Sequence, residues 1–298
     1  MIAIEFKTNQ EPTGGPEPEG MTRDTDPRND ETPLAELIDV TIKLGDRVVL
    51  REVSAKIWPG EFIGLIGSNG AGKTTLLRVL LGLLQTQSGE TCFAGERIRR
   101  GNPRVGYCPQ IRSFDRDLPM TGRDFVGLGI DGHRWGFSWP SRKRRAKIDE
   151  VLSSVGATAY AQAPIGRLSG GEQQRLAIAQ ALISEPSLLL LDEPLASLDM
   201  RSQSEIVSLV DRVRRERHVA ILFVTHGINP LLGVMDRVWY LAGGRAAIGP
   251  VDEIIRADVL SRLYGSPVEV VRVQNRVFVL AGDEEPEIHG REKIDANS

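Results

Sequence analysis

The sequence contains little cysteine, and its two cysteines lie far apart. Cys92 and Cys108 are the only two in 298 residues. They form neither a CxxC pair nor a disulfide framework, so we expect a protein of a reducing compartment. We interpret both side chains as structural thiols.

Long apolar runs and a secretory leader are also missing. The best apolar runs, Leu188 to Leu191 and Val219 to Val224, have the length of a strand, whereas a membrane-spanning helix needs about 18 residues or more. Met1 to Phe6 is short and is followed by polar residues, which does not fit a signal peptide. Any role at a membrane therefore requires another chain.

The charge is nearly balanced. A net charge of -3 and a pI near 5.9 give no electrostatic reason to expect nucleic acid as the main partner. The basic run from Arg142 to Lys147 has two interpretations, a surface for nucleic acid or anionic lipid and a solvated helix face. We favour the helix face, because the chain is acidic overall and no aromatic residues interleave.

Both ends of the chain differ in composition from its middle. Residues 1–33 are rich in Pro, Gly, Asp and Glu, and residues 283–298 form a charged tail. We predict that both segments are disordered. Residues 34–282 are expected to form the folded body, and the 41% hydrophobic content of the chain is enough for one large core or two modest ones.

Within the body, strand-like and helical segments alternate, which predicts an α/β fold. A helical insertion is expected at about 111–168, where strand signals vanish and 142–155 has apolar residues at helical spacing. A hairpin is expected at about 267–281, closed by Gln274-Asn275. The predicted strands are 35–42, 48–50, 61–66, 104–108, 187–191, 219–224 and 237–241.

The first chemical motif is a glycine-rich loop of the form GxxxxGK[ST] that follows the predicted strand Phe62 to Ile66. Its backbone N–H groups can cradle phosphates, Lys73 supplies charge, and Thr74 offers a hydroxyl to Mg²⁺. A helix predicted over 74–83 points its positive end at the anion. The residues expected to bind the nucleotide are Gly67, Ser68, Asn69, Gly70, Ala71, Gly72, Lys73, Thr74 and Thr75.

The second motif is an apolar strand, Ser187 to Leu191, that runs into Asp192 and Glu193. Successive side chains of an extended chain point to opposite faces, so Asp192 is expected to face Mg²⁺ and Glu193 the nucleophilic water. The alternative is a buried strand stopped by a solvated acidic turn. The phosphate loop upstream favours the catalytic interpretation, because parallel strands place their carboxyl ends in one crevice.

The third motif, Leu168 to Arg175, precedes a helical run. Ser169 and Glu172 have the spacing of a capping box, which holds a helix without any function. Gly170 and Gly171, however, cost helix propensity of about 1 kcal/mol each relative to alanine. They expose backbone N–H groups, and we therefore predict an anion site here.

Together these motifs resemble the nucleotide-binding subunit of an ATP-binding-cassette (ABC) transporter, in family order and spacing over about 35–280. The resemblance implies a P-loop NTPase domain with an inserted helical subdomain and an antiparallel β subdomain, using ATP and Mg²⁺. The catalytic residues it implies are Lys73, Gln110, Glu193 and His226. It also implies Mg²⁺ ligands Thr74, Gln110 and Asp192, signature residues Ser169, Gly170, Gly171 and Glu172 that act in trans, and Asp199 in the D-loop.

The resemblance further implies how the chain assembles. Two copies are expected to sandwich two ATP molecules as a homodimer on the cytoplasmic face of the cell membrane. Their partners would be integral membrane permease subunits and, indirectly, an extracytoplasmic solute-binding protein, with no nucleic acid. The motifs Lys73, Gln110, Asp192, Glu193 and His226 are all present, which disfavours a non-hydrolysing regulatory binder.

One residue departs from the family pattern. An aromatic residue commonly stacks on adenine at the position of Leu44. Leucine can pack on the ring but cannot stack. We therefore expect weaker base selectivity and weaker ATP affinity without loss of activity.

Three segments, 110–121, 132–136 and 260–270, are similar to the zinc, manganese and iron uptake branch of the family. Transport of a divalent transition metal is thus the leading hypothesis. Import of a siderophore or haem, and a soluble ABC ATPase acting on nucleic acid or ribosomes, remain alternatives. His133 has no Cys or carboxylate at ligand spacing and is interpreted as a surface residue.

Overall fold

A computed structural model of the chain describes residues 32–110, 114–131 and 141–281. The predicted disordered segments lie outside these ranges, apart from residues 32 and 33. His133 also lies outside them, as do two parts of the predicted helical insertion, residues 111–113 and 132–140.

The described residues form twelve strands and seven α-helices. The strands are β1 Ala35–Leu44, β2 Arg47–Ile57, β3 Phe62–Gly67, β4 Ser88–Phe93, β5 Glu96–Arg97, β6 Val105–Cys108, β7 Leu188–Asp192, β8 Ala220–Thr225, β9 Arg237–Ala242, β10 Arg245–Gly249, β11 Val268–Val273 and β12 Arg276–Ala281. The helices are α1 Lys73–Leu80, α2 Gly122–Asp131, α3 Arg142–Ser154, α4 Gly170–Leu182, α5 Met200–Arg217, α6 Val251–Ile254 and α7 Ala257–Tyr264.

The central sheet has the strand order β10-β9-β3-β8-β7-β6. Strands β9, β3, β8, β7 and β6 are parallel neighbours, and β10 pairs antiparallel with β9. Strands β3, β7 and β8 are buried along their whole length, as expected for parallel strands covered on both faces. The carboxyl ends of β3, β6, β7 and β8 therefore meet at one edge, and the predicted α/β fold is confirmed.

A second, antiparallel sheet has the order β2-β1-β4-β5. The sequence predicted β1 but only three residues of β2, and it missed β4, β5 and β10. Strand β4 reads Ser-Gly-Glu-Thr-Cys-Phe, with too few apolar residues to reveal a strand. Its position comes instead from pairing with β1, in which Phe93 lies opposite Ala35.

Helices α2 and α3 pack with α4 around one core that includes Val126, Ile148 and Leu176. Much of the basic run lies on the exposed side of α3. Arg144 donates to the Gly127 carbonyl at 3.0 Å, and Lys147 lies 2.8 Å from the Glu185 carboxylate. The solvated-face interpretation of this run therefore fits the described residues.

The chain continues from α7 into a hairpin formed by β11 and β12. Val268 and Val277 are buried against the main core. The Asn229 side chain accepts from the Val277 amide at 2.8 Å and donates to the Val277 carbonyl at 3.0 Å. Within the described part of the chain, no helix has the length and apolar character required to span a membrane.

Candidate functional site

The glycine-rich loop connects β3 to α1 at the carboxyl edge of the central sheet. A side chain at Gly67 would place its Cβ 2.3 Å from the Leu241 carbonyl oxygen, so only glycine fits between β3 and β9. Gly72 has a φ of 106° and immediately precedes the first turn of α1. These two positions hold the loop in a tight turn beside the amino terminus of a helix, where anions are stabilised.

Lys73 is the first residue of α1, which begins one residue earlier than predicted and ends three residues earlier, at Leu80. Its side chain folds back over the loop and is buried. The ammonium group donates to the carbonyls of Gly67, at 2.5 Å, and Ser68, at 3.0 Å. Lys73 thus places its charge directly above the loop. Thr74 is exposed and Thr75 is buried.

The acidic pair lies where β7 ends. Asp192 is the last residue of the strand, but Glu193 has a φ of 50°. The expectation that both residues share an extended backbone is therefore wrong. A left-handed conformation at Glu193, rather than strand alternation, separates the two carboxylates, and such a conformation in a non-glycine residue is costly and typical of functional sites.

Asp192 is 8% exposed. Its Oδ2 accepts a hydrogen bond from the Tyr107 hydroxyl at 3.3 Å. Burial raises the pKa of Asp192, and Glu193 adds to this effect, while the Tyr107 hydrogen bond and the positive charges of Lys73 and Arg78 oppose it. Burial and the charge of Asp192 raise the pKa of Tyr107 to about 12, so the hydroxyl stays protonated and remains a donor.

Glu193 connects the predicted catalytic residues. One carboxylate oxygen, Oε2, accepts from the Gln110 amide nitrogen at 2.8 Å, and the other contacts the His226 ring at Nε2. The opposite ring nitrogen of His226, Nδ1, lies 3.5 Å from the Lys73 ammonium group. Four residues that are distant in sequence therefore form one connected group at the carboxyl ends of β3, β6, β7 and β8.

The third motif lies at the start of α4. Ser169 caps the helix, and the capping box with Glu172 is present: the Ser169 Oγ accepts from the Glu172 amide at 3.4 Å, and Glu172 Oε2 accepts from the Ser169 amide at 2.8 Å. A Cβ on Gly170 would lie 3.2 Å from Leu198. The two glycines therefore lie beside the start of α5, and the capping interpretation holds locally.

Asp199 caps α5. Its carboxylate accepts from the amide and the hydroxyl of Ser202 at 2.8 and 3.0 Å, and these hydrogen bonds lower the pKa of Asp199. Gly171 lies next to the same serine, because a Cβ there would be 3.5 Å from Ser202 Oγ. The predicted signature and D-loop residues thus form one contiguous surface, which is separate in sequence from the glycine-rich loop.

Leu44 lies at the tip of the hairpin between β1 and β2, opposite Arg47. Its side chain is 45% exposed. The same hairpin reaches the phosphate loop, because a Cβ on Gly72 would lie 2.9 Å from the Leu50 side chain. An apolar side chain is therefore available at the tip of a hairpin whose second strand, β2, contacts the loop.

The side chains predicted to hold Mg²⁺ fit that ion. Asp192 supplies a carboxylate, Thr74 a hydroxyl and Gln110 an amide oxygen, and hard divalent cations prefer such oxygen ligands. The Gln110 nitrogen donates to Glu193, which leaves its carbonyl oxygen for other partners. Sequence reasoning missed one residue of the site, Tyr107. Its signal was its place on the predicted strand 104–108, three residues before Gln110.

A phosphate loop, two adjacent carboxylates and a histidine on a parallel sheet define a P-loop ATPase. Residues 50–196 match the ABC transporter family. The chain is 36% identical over 237 residues to the zinc import ATP-binding protein ZnuC of Halorhodospira halophila, covering 79% of this chain and 85% of that one. It is 30% identical over 248 residues to the manganese transport system ATP-binding protein MntB of Halalkalibacterium halodurans, covering 83% and 98%.

Solved structures agree on the fold. An inward-facing metal-chelate type ABC transporter superposes with a TM-score of 0.70 at 23% identity, covering 84% of this chain and 96% of that chain. CbiO1 of Clostridium perfringens, part of the CbiONQ transporter complex, gives 0.67 at 27% identity and covers 78% and 94%. The chain belongs to the ABC transporter ATP-binding family: it is the ATP-binding subunit of a transporter and an ATPase.

Proposed function

We propose that this subunit drives import of a divalent transition metal ion through a separate permease, as a nucleotide-sandwiched homodimer at the cytoplasmic face of the membrane. The observation that supports the ATPase chemistry is the connected group of Lys73, His226, Glu193 and Gln110. The relatives named for zinc import and manganese transport support the substrate.

In this proposal each residue of the group has one task. Lys73 neutralises charge on the phosphates, and Glu193 accepts the proton of the attacking water. His226 contacts the γ-phosphate and, through its contact with Glu193, orients that carboxylate. The loop amides of residues 67–75 hold the phosphates in place.

Bound Mg²⁺ would offset the negative charge that spreads over the transferring phosphoryl group. Thr74, Gln110 and Asp192 are the residues that would hold it, with Asp192 acting through water. The carboxylate of Asp192 is buried and hydrogen-bonded, so its orientation is restricted.

The open side of the phosphate loop supports the proposed homodimer. Lys73 and the loop amides approach the phosphates from one side only, and further donors must complete the site. Ser169, Gly170, Gly171 and Glu172 lie at the exposed start of α4 next to Asp199. We propose that these residues complete the site of a second copy by a two-fold-symmetric contact, and that hydrolysis opens the dimer to move the permease.

Reconstitution tests the substrate. The subunit is combined with its permease in liposomes, and ATP hydrolysis is measured with binding proteins loaded with Mn²⁺, Zn²⁺ or Fe²⁺. We expect stimulation by one of these metal-loaded proteins, and none in a matched Glu193→Gln preparation. Stimulation by haem or an iron–siderophore complex alone, or by ribosomes without a permease, would contradict metal import.

Leu44→Tyr tests the adenine pocket. An aromatic ring at the hairpin tip can stack on the base, and stacking contributes about 1 kcal/mol or more. We expect ATP to bind about fivefold more tightly, measured by titration calorimetry with the hydrolysis-deficient subunit. Leu83→Tyr, at another exposed leucine, serves as the control. Equal affinity of the Leu44→Tyr and parent subunits would rule out this role for position 44.

A further inference from the structure

Strand β6 is the edge strand of the central sheet and pairs in parallel with β7. Tyr107 lies opposite Leu190 in this register, and Asp192 lies two residues beyond Leu190. Because side chains two apart share a face of a strand, Tyr107 and Asp192 project from the same face of the sheet. Their hydroxyl and carboxylate meet at 3.3 Å.

The segment that starts in β6 donates to both carboxylates of the site. Tyr107 donates to Asp192 from within the strand, and Gln110 donates to Glu193 from the loop after Pro109. The two donors, Tyr107 and Gln110, differ in how firmly the surrounding structure holds them. Tyr107 is held by the ladder between β6 and β7 and packs, partly buried, against a core that includes Leu188 and Leu190. Gln110 is exposed and lies outside the sheet.

We propose that Tyr107 is a positioning residue for Mg²⁺. Its hydroxyl donates to Oδ2 of Asp192, which restricts the orientation of the carboxylate and leaves Oδ1 to serve the metal through water. The inference rests on the proposed role of Asp192 toward Mg²⁺. Hydrogen-bond partners of metal-binding carboxylates orient them, and their removal weakens metal affinity about 10-fold to 100-fold.

The charges around Asp192 explain why a neutral hydrogen-bond donor suits the orientation of its carboxylate. Lys73 and Arg78 already supply positive charge near Asp192. A further cation would compete with the metal for the carboxylate, while a phenol adds direction without charge.

Thr74 and Arg78 are four residues apart on α1, and residues at that spacing lie on one face of a helix. The hydroxyl predicted to bind Mg²⁺ therefore shares that face with Arg78.

Tyr107→Phe removes the hydroxyl and keeps the ring that packs against the core. Binding of a fluorescent, non-hydrolysable ATP analogue is measured from chelated to millimolar free Mg²⁺, and thermal unfolding is measured without metal. Mg²⁺ is expected to increase the affinity for the analogue, and we expect the Mg²⁺ concentration that gives half of this increase to rise about tenfold in the variant. Affinity in chelator and the melting temperature should stay at parental values.

Tyr264→Phe is the matched control, since it removes a tyrosine hydroxyl hydrogen-bonded to Tyr240 at 3.2 Å; we expect its Mg²⁺ dependence to stay parental. The inference is overturned if Tyr107→Phe shows the parental Mg²⁺ dependence. It is also overturned if the variant loses affinity for the ATP analogue equally with and without Mg²⁺. Asp192→Asn distinguishes failure of the positioning role from failure of the proposed Mg²⁺ site. If Asp192→Asn loses the Mg²⁺ dependence of nucleotide binding while Tyr107→Phe retains the parental dependence, only the positioning role of Tyr107 fails. If Asp192→Asn also retains the parental dependence, the proposed Mg²⁺ site fails as well.

Discussion

Glu193→Gln is expected to bind ATP normally and to lose about a thousandfold of its hydrolysis rate, within the range that a general base contributes. Glutamine has the shape of glutamate but cannot take the proton of the attacking water. One carboxylate oxygen of Glu193 contacts Gln110 and the other contacts His226. Glutamine keeps one accepting oxygen, so the substitution preserves the shape of the side chain and changes one of these two contacts. Single-turnover phosphate release measures the loss.

The same variant should accumulate as an ATP-bound dimer, because ATP at the interface is no longer consumed. Light scattering with chromatography, with and without Mg²⁺ and ATP, detects the change in mass. Glu216→Gln is the control, since Glu216 is exposed on α5 and pairs only weakly with Arg212, at 4.0 Å. Hydrolysis at the parental rate in Glu193→Gln would remove Glu193 from the catalytic role.

Local sequence patterns predicted the central sheet because its strands are continuous apolar runs. The run from Leu188 to Leu191 is wholly apolar and is buried between neighbours on both sides. The motifs predicted Lys73 and Glu193 at the strand ends, and the family resemblance that the motifs carry implied Gln110 and His226. The structure brings Lys73, Gln110, Glu193 and His226 together, as expected when parallel strands end at one edge.

Features that depend on distant partners could not be predicted in the same way. Strands β4 and β10 carry small or polar residues and exist because β1 and β9 pair with them. The left-handed backbone of Glu193 has no marker in the sequence, since glutamate rarely adopts it. Tyr107 acquires its partner only through the register between β6 and β7.

Lys73→Ala is expected to lose ATP hydrolysis by about a hundredfold or more, comparable to the loss of one stabilising donor in other active sites. The ammonium group lies over the loop, bound to the Gly67 and Ser68 carbonyls, and alanine removes this positive charge from the phosphate site. Steady-state phosphate release and ATP affinity measure the effect. Lys143→Ala, on the exposed side of α3, is the matched control and should retain the parental rate.

Mixing inactive subunits tests whether a second copy completes the site. Gly171→Asp places a carboxylate at the start of α4, where its own subunit has room, since a Cβ would be 3.5 Å from Ser202. If the site is shared, Lys73 of one subunit and residue 171 of the other face the same nucleotide. In a mixed dimer of Lys73→Ala and Gly171→Asp, both substitutions then fall in one nucleotide site, and the other site is intact. Half the dimers in an equal mixture are mixed, so about a quarter of parental activity should return.

Lys73→Ala mixed with Glu193→Gln provides the contrasting case. Lys73 and Glu193 both contact His226 within one chain, so they belong to the same half of a site. Every mixed dimer of this pair then carries one lesion at each nucleotide, and no activity should return. Recovery in the first mixture but not in the second requires that residue 171 act on the partner's nucleotide, whereas failure of both mixtures to recover contradicts the shared site.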